Sequence, residues 1–259
     1  MSNTTTRRRG PDAGPAHPRA RMRLTMNRRI SAVLFDMDGT LVDSEPAYWE
    51  SDREFLGRYG IDYDEELNST FIGRGSVEMF RSLESLFPDS PVNAMSLDER
   101  VRLKDEAFAL YAPSRVLPFP AVERLARSLV ERGVFIAVAS GSSRSVIDLM
   151  LEATGLGGLF PLRVSASEVA RGKPEPDVFL ETARRAGVGP GNCLVLEDSR
   201  FGVAAAKAAG MACIAMPCPG SPVHADFAAA DFVVEGGAAC LDPDLVLSAF
   251  DWATESSLA

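Results

Sequence analysis

Apolar positions along this chain fall into two patterns, and their alternation sets the fold class. The runs Ile30-Ser31-Ala32-Val33-Leu34-Phe35, Val134-Phe135-Ile136-Ala137-Val138-Ala139-Ser140 and Cys193-Leu194-Val195-Leu196-Glu197 are almost continuously apolar. They lack the in-and-out alternation of a half-buried strand, and they fit strands covered on both faces. The runs predict strands over 30–36, 134–140, 193–197, 213–216 and 231–234, with a short one at 162–165. Helical patterns lie between them, with no internal repeat. That order predicts an α/β fold: a parallel sheet with helices on both faces.

One interval breaks the rhythm. Nearly a hundred residues separate the first strand from the one at 134, too many for a single crossover. From about 46 to 111 the apolar residues take helical spacing in three groups: Tyr48, Phe55, Leu56 and Tyr59; Val77, Phe80, Leu83 and Leu86; Val101, Leu103 and Phe108. Pro88, Pro91, Pro113, Pro118 and Pro120 punctuate the stretch. The pattern predicts an inserted helical cap at 46–113, within a core built from 30–45 and 114–259. A helix at 121–132 then re-enters the core and stops at Gly133, a C-cap residue.

Composition narrows the class. The 259 residues are 46% hydrophobic with mean hydropathy near zero, the balance of a soluble globular protein. No apolar stretch reaches the ~18 residues of a membrane helix, so no membrane partner is expected. The net charge of −9 is uneven: residues 1–29 carry +7 and the rest −16. An acidic body argues against nucleic acid as the main partner. The Arg-, Pro-, Gly- and Thr-rich segment 1–29 reads as a disordered basic tail, or as the result of a start placed ahead of Met22 or Met26; an electrostatic arm is the sharper alternative. Arg7-Arg8-Arg9 has no apolar region after it and is not an export signal. Cys193, Cys213, Cys218 and Cys240 form no Cys-x-x-Cys pair, as expected for reduced thiols of a cytoplasmic protein without zinc. Only three of the 27 basic residues are lysines, Lys104, Lys173 and Lys207, which makes Lys173 conspicuous.

Four segments carry chemistry. Asp36-Met37-Asp38-Gly39 follows the first strand, where open α/β sheets bind ligands. A strand-end carboxylate can attack phosphorus; a second one two residues on, facing the same side, can protonate the leaving oxygen and later take a proton from water. Ser140-Gly141-Ser142 ends the second long strand, ahead of a helix expected to begin near Arg144, and offers a hydroxyl and backbone N–H groups to an anion. Lys173-Pro174 supplies one fixed positive charge. Glu197-Asp198-Ser199 offers oxygen ligands for a hard cation such as Mg2+, with a helix starting near Arg200.

This set, in this order, resembles the haloacid dehalogenase superfamily of phosphotransferases over about residues 30–235. The resemblance implies a Rossmann-like core with an inserted helical cap. It implies Asp36 as nucleophile, Asp38 as general acid–base, and Ser140, Gly141 and Lys173 as phosphoryl-binding residues. Magnesium would be held by Asp36, the carbonyl of Asp38, Glu197 and Asp198. Dehalogenation is not expected, since the family's dehalogenases lack the second aspartate. The position of the cap, directly after the first motif, resembles the subgroup of β-phosphoglucomutases, phosphoglycolate phosphatases and small sugar-phosphate phosphatases. In that subgroup the mutases carry a histidine where Tyr48 stands, and a phenol of pKa ~10 cannot replace it as a base. Hydrolysis is therefore expected, by a monomeric Mg2+-dependent phosphatase acting on a small phosphorylated metabolite, a sugar phosphate; a β-phosphoglucomutase-like mutase is the alternative. Within the cap, Glu45, Tyr48, Trp49 and Arg74 are expected to face the substrate.

Overall fold

The structure, a computed structural model, describes residues 28–71, 74–218 and 225–253. The expected basic tail lies outside the described residues except at its end. There Arg28 donates to the carbonyls of Gly191 and Gly210, both at 2.7 Å, and Arg29–Ile30 pairs in parallel with Asp251–Trp252.

Six parallel strands form the sheet: β1 (Ala32–Phe35), β2 (Phe135–Ser140), β3 (Leu162–Ser165), β4 (Cys193–Glu197), β5 (Ala212–Ala215) and β6 (Phe232–Val233). Their order is β3-β2-β1-β4-β5-β6. The order reverses at β1, so the carboxyl ends of β1 and β4 flank a topological switch point, where such sheets bind ligands. The expected strand at 30–36 is interrupted at Ser31, whose N–H donates to Asn192 O at 2.8 Å; the apolar run continues through a change of partner. The strands at 162–165 and 193–197 form over their expected lengths, and the fold is the expected α/β parallel sheet.

Alternate residues of each strand enter different cores. Val33, Phe35, Ile136, Val138, Leu194 and Leu196 face one side, packed by α5 (Pro120–Glu131), α6 (Arg144–Ala153) and α9 (Pro243–Ala249). Ala32, Leu34, Ala137, Ala139 and Val195 face the other, under α7 (Asp177–Ala186) and α8 (Arg200–Ala208). This two-sided burial explains the continuous apolar runs.

Four helices lie between β1 and α5: α1 (Glu45–Gly57), α2 (Glu65–Ser69), α3 (Ser76–Leu86) and α4 (Leu97–Arg115). The chain leaves and re-enters beside itself, through antiparallel Val42–Asp43 and Leu117–Pro118. Phe55, Leu56, Ile61, Tyr63, Phe80 and Leu83 make a core of their own, whereas Ala47, Phe108 and Ala112 join the sheet-side core. The segment is therefore anchored at its base by α1 and α4 and independent at its tip. Pro113 does not end α4: it is exposed in the last turn, where it removes one backbone bond only.

Candidate active site

The site is built at the ends of β1, β2 and β4. Asp36 directly follows β1, and its N–H donates to Leu196 O at 3.0 Å, tying it to β4. The chain then turns sharply: Leu41 and Val42 both donate to Met37 O, at 2.9 and 3.0 Å. Gly39 has φ 72°, and a Cβ there would overlap the Asp198 carboxylate. Only glycine meets both demands. Gly202 has a similar role in α8, where a Cβ would overlap the Glu197 carboxylate.

Lys173 holds the centre. Its Nζ donates to Asp36 Oδ1 at 2.5 Å and to Glu197 Oε1 at 2.6 Å, with the lysine side chain 10% exposed. The other Glu197 oxygen accepts from Ser199 N at 2.8 Å and Ser199 Oγ at 3.0 Å. Carboxylate oxygens of Asp36, Glu197 and Asp198 come within 4.8 Å of one another. Burial pushes the Asp36 carboxyl up to about 7 even though the Lys173 ammonium pulls the other way. Burial, then Glu197 and Asp36, hold Asp198 well above the usual carboxylate range. Burial opposes the charge on Lys173, but Asp36 and Glu197 outweigh it and raise the amine above its ordinary value. Two buried carboxylates share one ammonium and the partly buried Asp198 stands beside them, and such an excess is relieved by protons or by a cation. The all-oxygen donor set fits a hard divalent cation such as magnesium.

Asp38 is held by hydroxyls. Ser44 Oγ donates to its Oδ1 at 2.6 Å and Ser142 Oγ to its Oδ2 at 2.7 Å. Tyr48 OH stands 3.4 Å from Ser142 Oγ, and its ring stacks on Phe108. Ser140, 1% exposed, accepts from Ser142 N at 3.0 Å, so its hydroxyl shapes the turn after β2 in which Gly141 lies. Ser143 Oγ donates to Asp105 Oδ2 at 2.6 Å, joining that turn to α4.

The structure thus gathers Asp36, Asp38, Ser140, Gly141, Lys173, Glu197 and Asp198 at the carboxyl ends of the central strands. Tyr48 reaches Asp38 through the Ser142 hydroxyl, and Glu45 directly follows Ser44, which donates to Asp38; burial, then the charge of Asp38, raises both the Glu45 carboxyl and the Tyr48 phenol. The other two residues expected to face the substrate, Trp49 and Arg74, make their described contacts within the helical segment. Trp49 packs 6.0 Å from the Tyr63 ring in the helical core, because one step along α1 from Tyr48 turns a side chain about 100° away. Arg74 is exposed and faces Glu78 at 3.5 Å. Sequence reasoning missed Ser44, the contact of Ser142 with Asp38, and the pair Lys104–Asp52, which meet at 2.8 Å with side chains 5% and 6% exposed. Lys104 also lies 4.4 Å over the Tyr48 ring. All four cysteines are free thiols, and among the described residues no helix is long and apolar enough to cross a membrane.

Comparison with known proteins agrees with this geometry. The family of haloacid dehalogenase-like hydrolases matches residues 30–210. Fructose-1-phosphate phosphatase YqaB of Escherichia coli (strain K12) is 36% identical over 188 residues, which is 72% of this chain and 96% of that protein. Hexitol phosphatase B of the same organism is 32% identical over 207 residues, covering 79% and 91%. The crystal structure of CbbY from Rhodobacter sphaeroides in complex with phosphate superposes with a TM-score of 0.72 at 27% identity, covering 81% of this chain and 95% of that one. The chain belongs to the haloacid dehalogenase-like hydrolases.

Proposed function

We propose that this hydrolase is a magnesium-dependent phosphatase that cleaves a small phosphorylated metabolite, a sugar phosphate, through an aspartyl-phosphate. It is a phosphoric monoester hydrolase. The observation that carries the reading is the Lys173 ammonium shared by Asp36 and Glu197, with Asp198 beside them. Asp36 attacks phosphorus in line and the P–O bond to the sugar breaks; Asp38 gives its proton to the departing oxygen. Asp38 then takes a proton from water, whose oxygen attacks phosphorus, freeing phosphate and Asp36. Lys173, the Ser140 hydroxyl and the Gly141 N–H stabilise the phosphoryl oxygens. Asp36, Glu197, Asp198 and the Asp38 carbonyl would hold Mg2+, which supplies charge neutralisation when bound. Residues 46–113 act as a cap that excludes bulk water during turnover.

Tyr48 favours hydrolysis over the mutase alternative. Burial, then Asp38, holds its phenol well above the ordinary value of 10.0, so it keeps its proton and cannot serve as the base that hands a sugar hydroxyl to the phosphoryl group. The substrate class draws support from the sugar- and hexitol-phosphatase names of the relatives. The test is phosphate release from p-nitrophenyl phosphate with magnesium, lost on chelation and restored by the metal. Asp36→Asn is expected to lower kcat by about 10⁴-fold or more. Turnover that survives in Asp36→Asn rules out the covalent route.

A further inference from the structure

Among the described residues, Lys173 is the one cation paired with Asp36. A lysine ammonium is a point charge on a flexible four-carbon stem, without the rigid fork of a guanidinium. It stabilises charge developing on phosphorus only if it is in place beforehand. Two neighbours besides Asp36 hold it. Glu197, fully buried, accepts from Nζ at 2.6 Å, and its other oxygen is taken by Ser199 N and Ser199 Oγ at 2.8 and 3.0 Å, so the carboxylate cannot swing away. The second neighbour is Phe179 on α7, whose ring centroid lies 5.0 Å from Nζ. Phe179 is fully buried and packs in the core that contains Leu34, Ala137 and Val195, so its ring is fixed without help from the lysine.

The two neighbours differ in what they take from the lysine. An ammonium has three N–H donors. One goes to Asp36 and one to Glu197, and among the described residues there is no third acceptor. The negative face of an aromatic ring attracts the cation without claiming a particular N–H. A further carboxylate or carbonyl in the place of the ring would hold the charge equally well, but it would compete for the N–H that a phosphoryl oxygen needs. The ring also keeps water from that side of the ammonium, which strengthens its field at Asp36. We infer that Phe179 is a positioning residue for catalysis: its ring face holds the Lys173 ammonium against Asp36 and leaves an N–H for the phosphoryl oxygens. The inference rests on the phosphatase reading and adds to it a residue of the core.

As core filling alone, any ring of the same shape would serve at this position, and the test exploits that. Phe179 is replaced in the full chain by mono-, tri- and pentafluorinated phenylalanine, which keep the ring's shape and progressively remove the negative potential of its face. Cleavage of p-nitrophenyl phosphate with magnesium is measured beside urea unfolding. The expected kcat falls stepwise along the series, by about 3–10-fold at the pentafluoro member, while stability does not fall. In a Lys173→Met background the same series is expected to be flat within about 2-fold, because the ring then has no cation to hold. Phe179→Leu, which removes the ring, is expected to lower kcat at least as far as the pentafluoro member; should it fail to fold, the fluorinated series decides alone. A kcat unchanged along the series, a fall that tracks a loss of stability, or an equal fall in the Lys173→Met background overturns the inference and leaves the phosphatase reading intact. No cleavage of p-nitrophenyl phosphate by the wild-type enzyme removes both.

Discussion

Two buried lysines organise this molecule, and they are embedded differently. Lys173 lies between Asp36 and Glu197, with Asp198 adding a further carboxylate in reach. Lys104 faces a single carboxylate, Asp52, and an aromatic ring. The first cluster has an excess of negative charge that protein alone does not neutralise. The second is balanced one to one. A balanced buried pair has little to gain from a ligand, and breaking it leaves an uncompensated buried charge. An overcharged cluster is costly as it stands and becomes useful when a cation and a phosphoryl group arrive. The difference separates a centre suited to chemistry from a joint that fixes one helix on another.

Replacing each lysine with methionine breaks the comparison most directly. Lys173→Met is expected to cost about 10²–10³-fold in kcat, with a smaller loss of stability, since Asp36, already near 7, can take up a proton. Lys104→Met is expected to do the reverse, costing roughly 3–5 kcal/mol of folding stability, because Asp52 would be left 4% exposed with no cation. Urea unfolding and steady-state kinetics on both variants decide it. Equal losses of stability, or a Lys173→Met enzyme with normal kcat, would show that the two lysines do the same job. Adding Asp52→Leu to Lys104→Met should restore most of the stability.

The lysines also show how far a sequence reads. The ends of β1, β2 and β4 were legible, because runs buried on both faces stop abruptly at Asp36, Ser140 and Glu197, and the polar residues there had no role in a core. Lys173 was legible for its rarity and its place between those motifs. Lys104 was not. It lies on α4 in the buried ladder Arg100, Lys104, Phe108 and Ala112, spaced four apart, but two of its four members are charged. A search for apolar periodicity therefore picks out Val101 and Leu103 instead, both only partly buried. The i, i+4 repeat was the available signal. Trp49 shows a related limit: a large aromatic beside a motif draws attention, while helical geometry packs it against the helical core. Ser44, and the contact of Ser142 with Asp38, were hidden by the ordinariness of serine near a helix start.

Glu45 sharpens the contrast at intermediate size, since it shares the negative surroundings of Asp38 without a paired cation. Its carboxyl is raised from 4.5 to about 7 in the folded protein. A carboxyl raised on folding favours the native state while it is protonated. That contribution is complete below pH ~4.5 and is lost as pH climbs through ~7. Glu45→Gln cannot ionise and escapes the loss. The variant is expected to match the parent near pH 4.5 and to exceed it by roughly 1–3 kcal/mol at pH 8. Thermal unfolding at the two pH values measures the difference; a gap that is constant with pH would mean that Glu45 titrates normally.

The smallest effect belongs to Ser142, the hydroxyl through which the α1 side reaches the chemistry. It donates to Asp38 Oδ2 at 2.7 Å and stands 3.4 Å from Tyr48 OH. In Ser142→Ala, Asp38 keeps Ser44 on its other oxygen but loses one of its two fixed orientations. A single hydrogen bond to a charged group is worth about 1.5–3 kcal/mol at most, and here water can replace it, so kcat is expected to fall by about 3–10-fold. Folding stability should change by less than ~1 kcal/mol. Because the bond acts on the acid–base and not on the nucleophile, the loss should be larger for an alkyl phosphate than for p-nitrophenyl phosphate, whose leaving oxygen departs without a proton. Equal losses on both esters would assign Ser142 to the architecture of the turn after β2 and remove Asp38 positioning from its role.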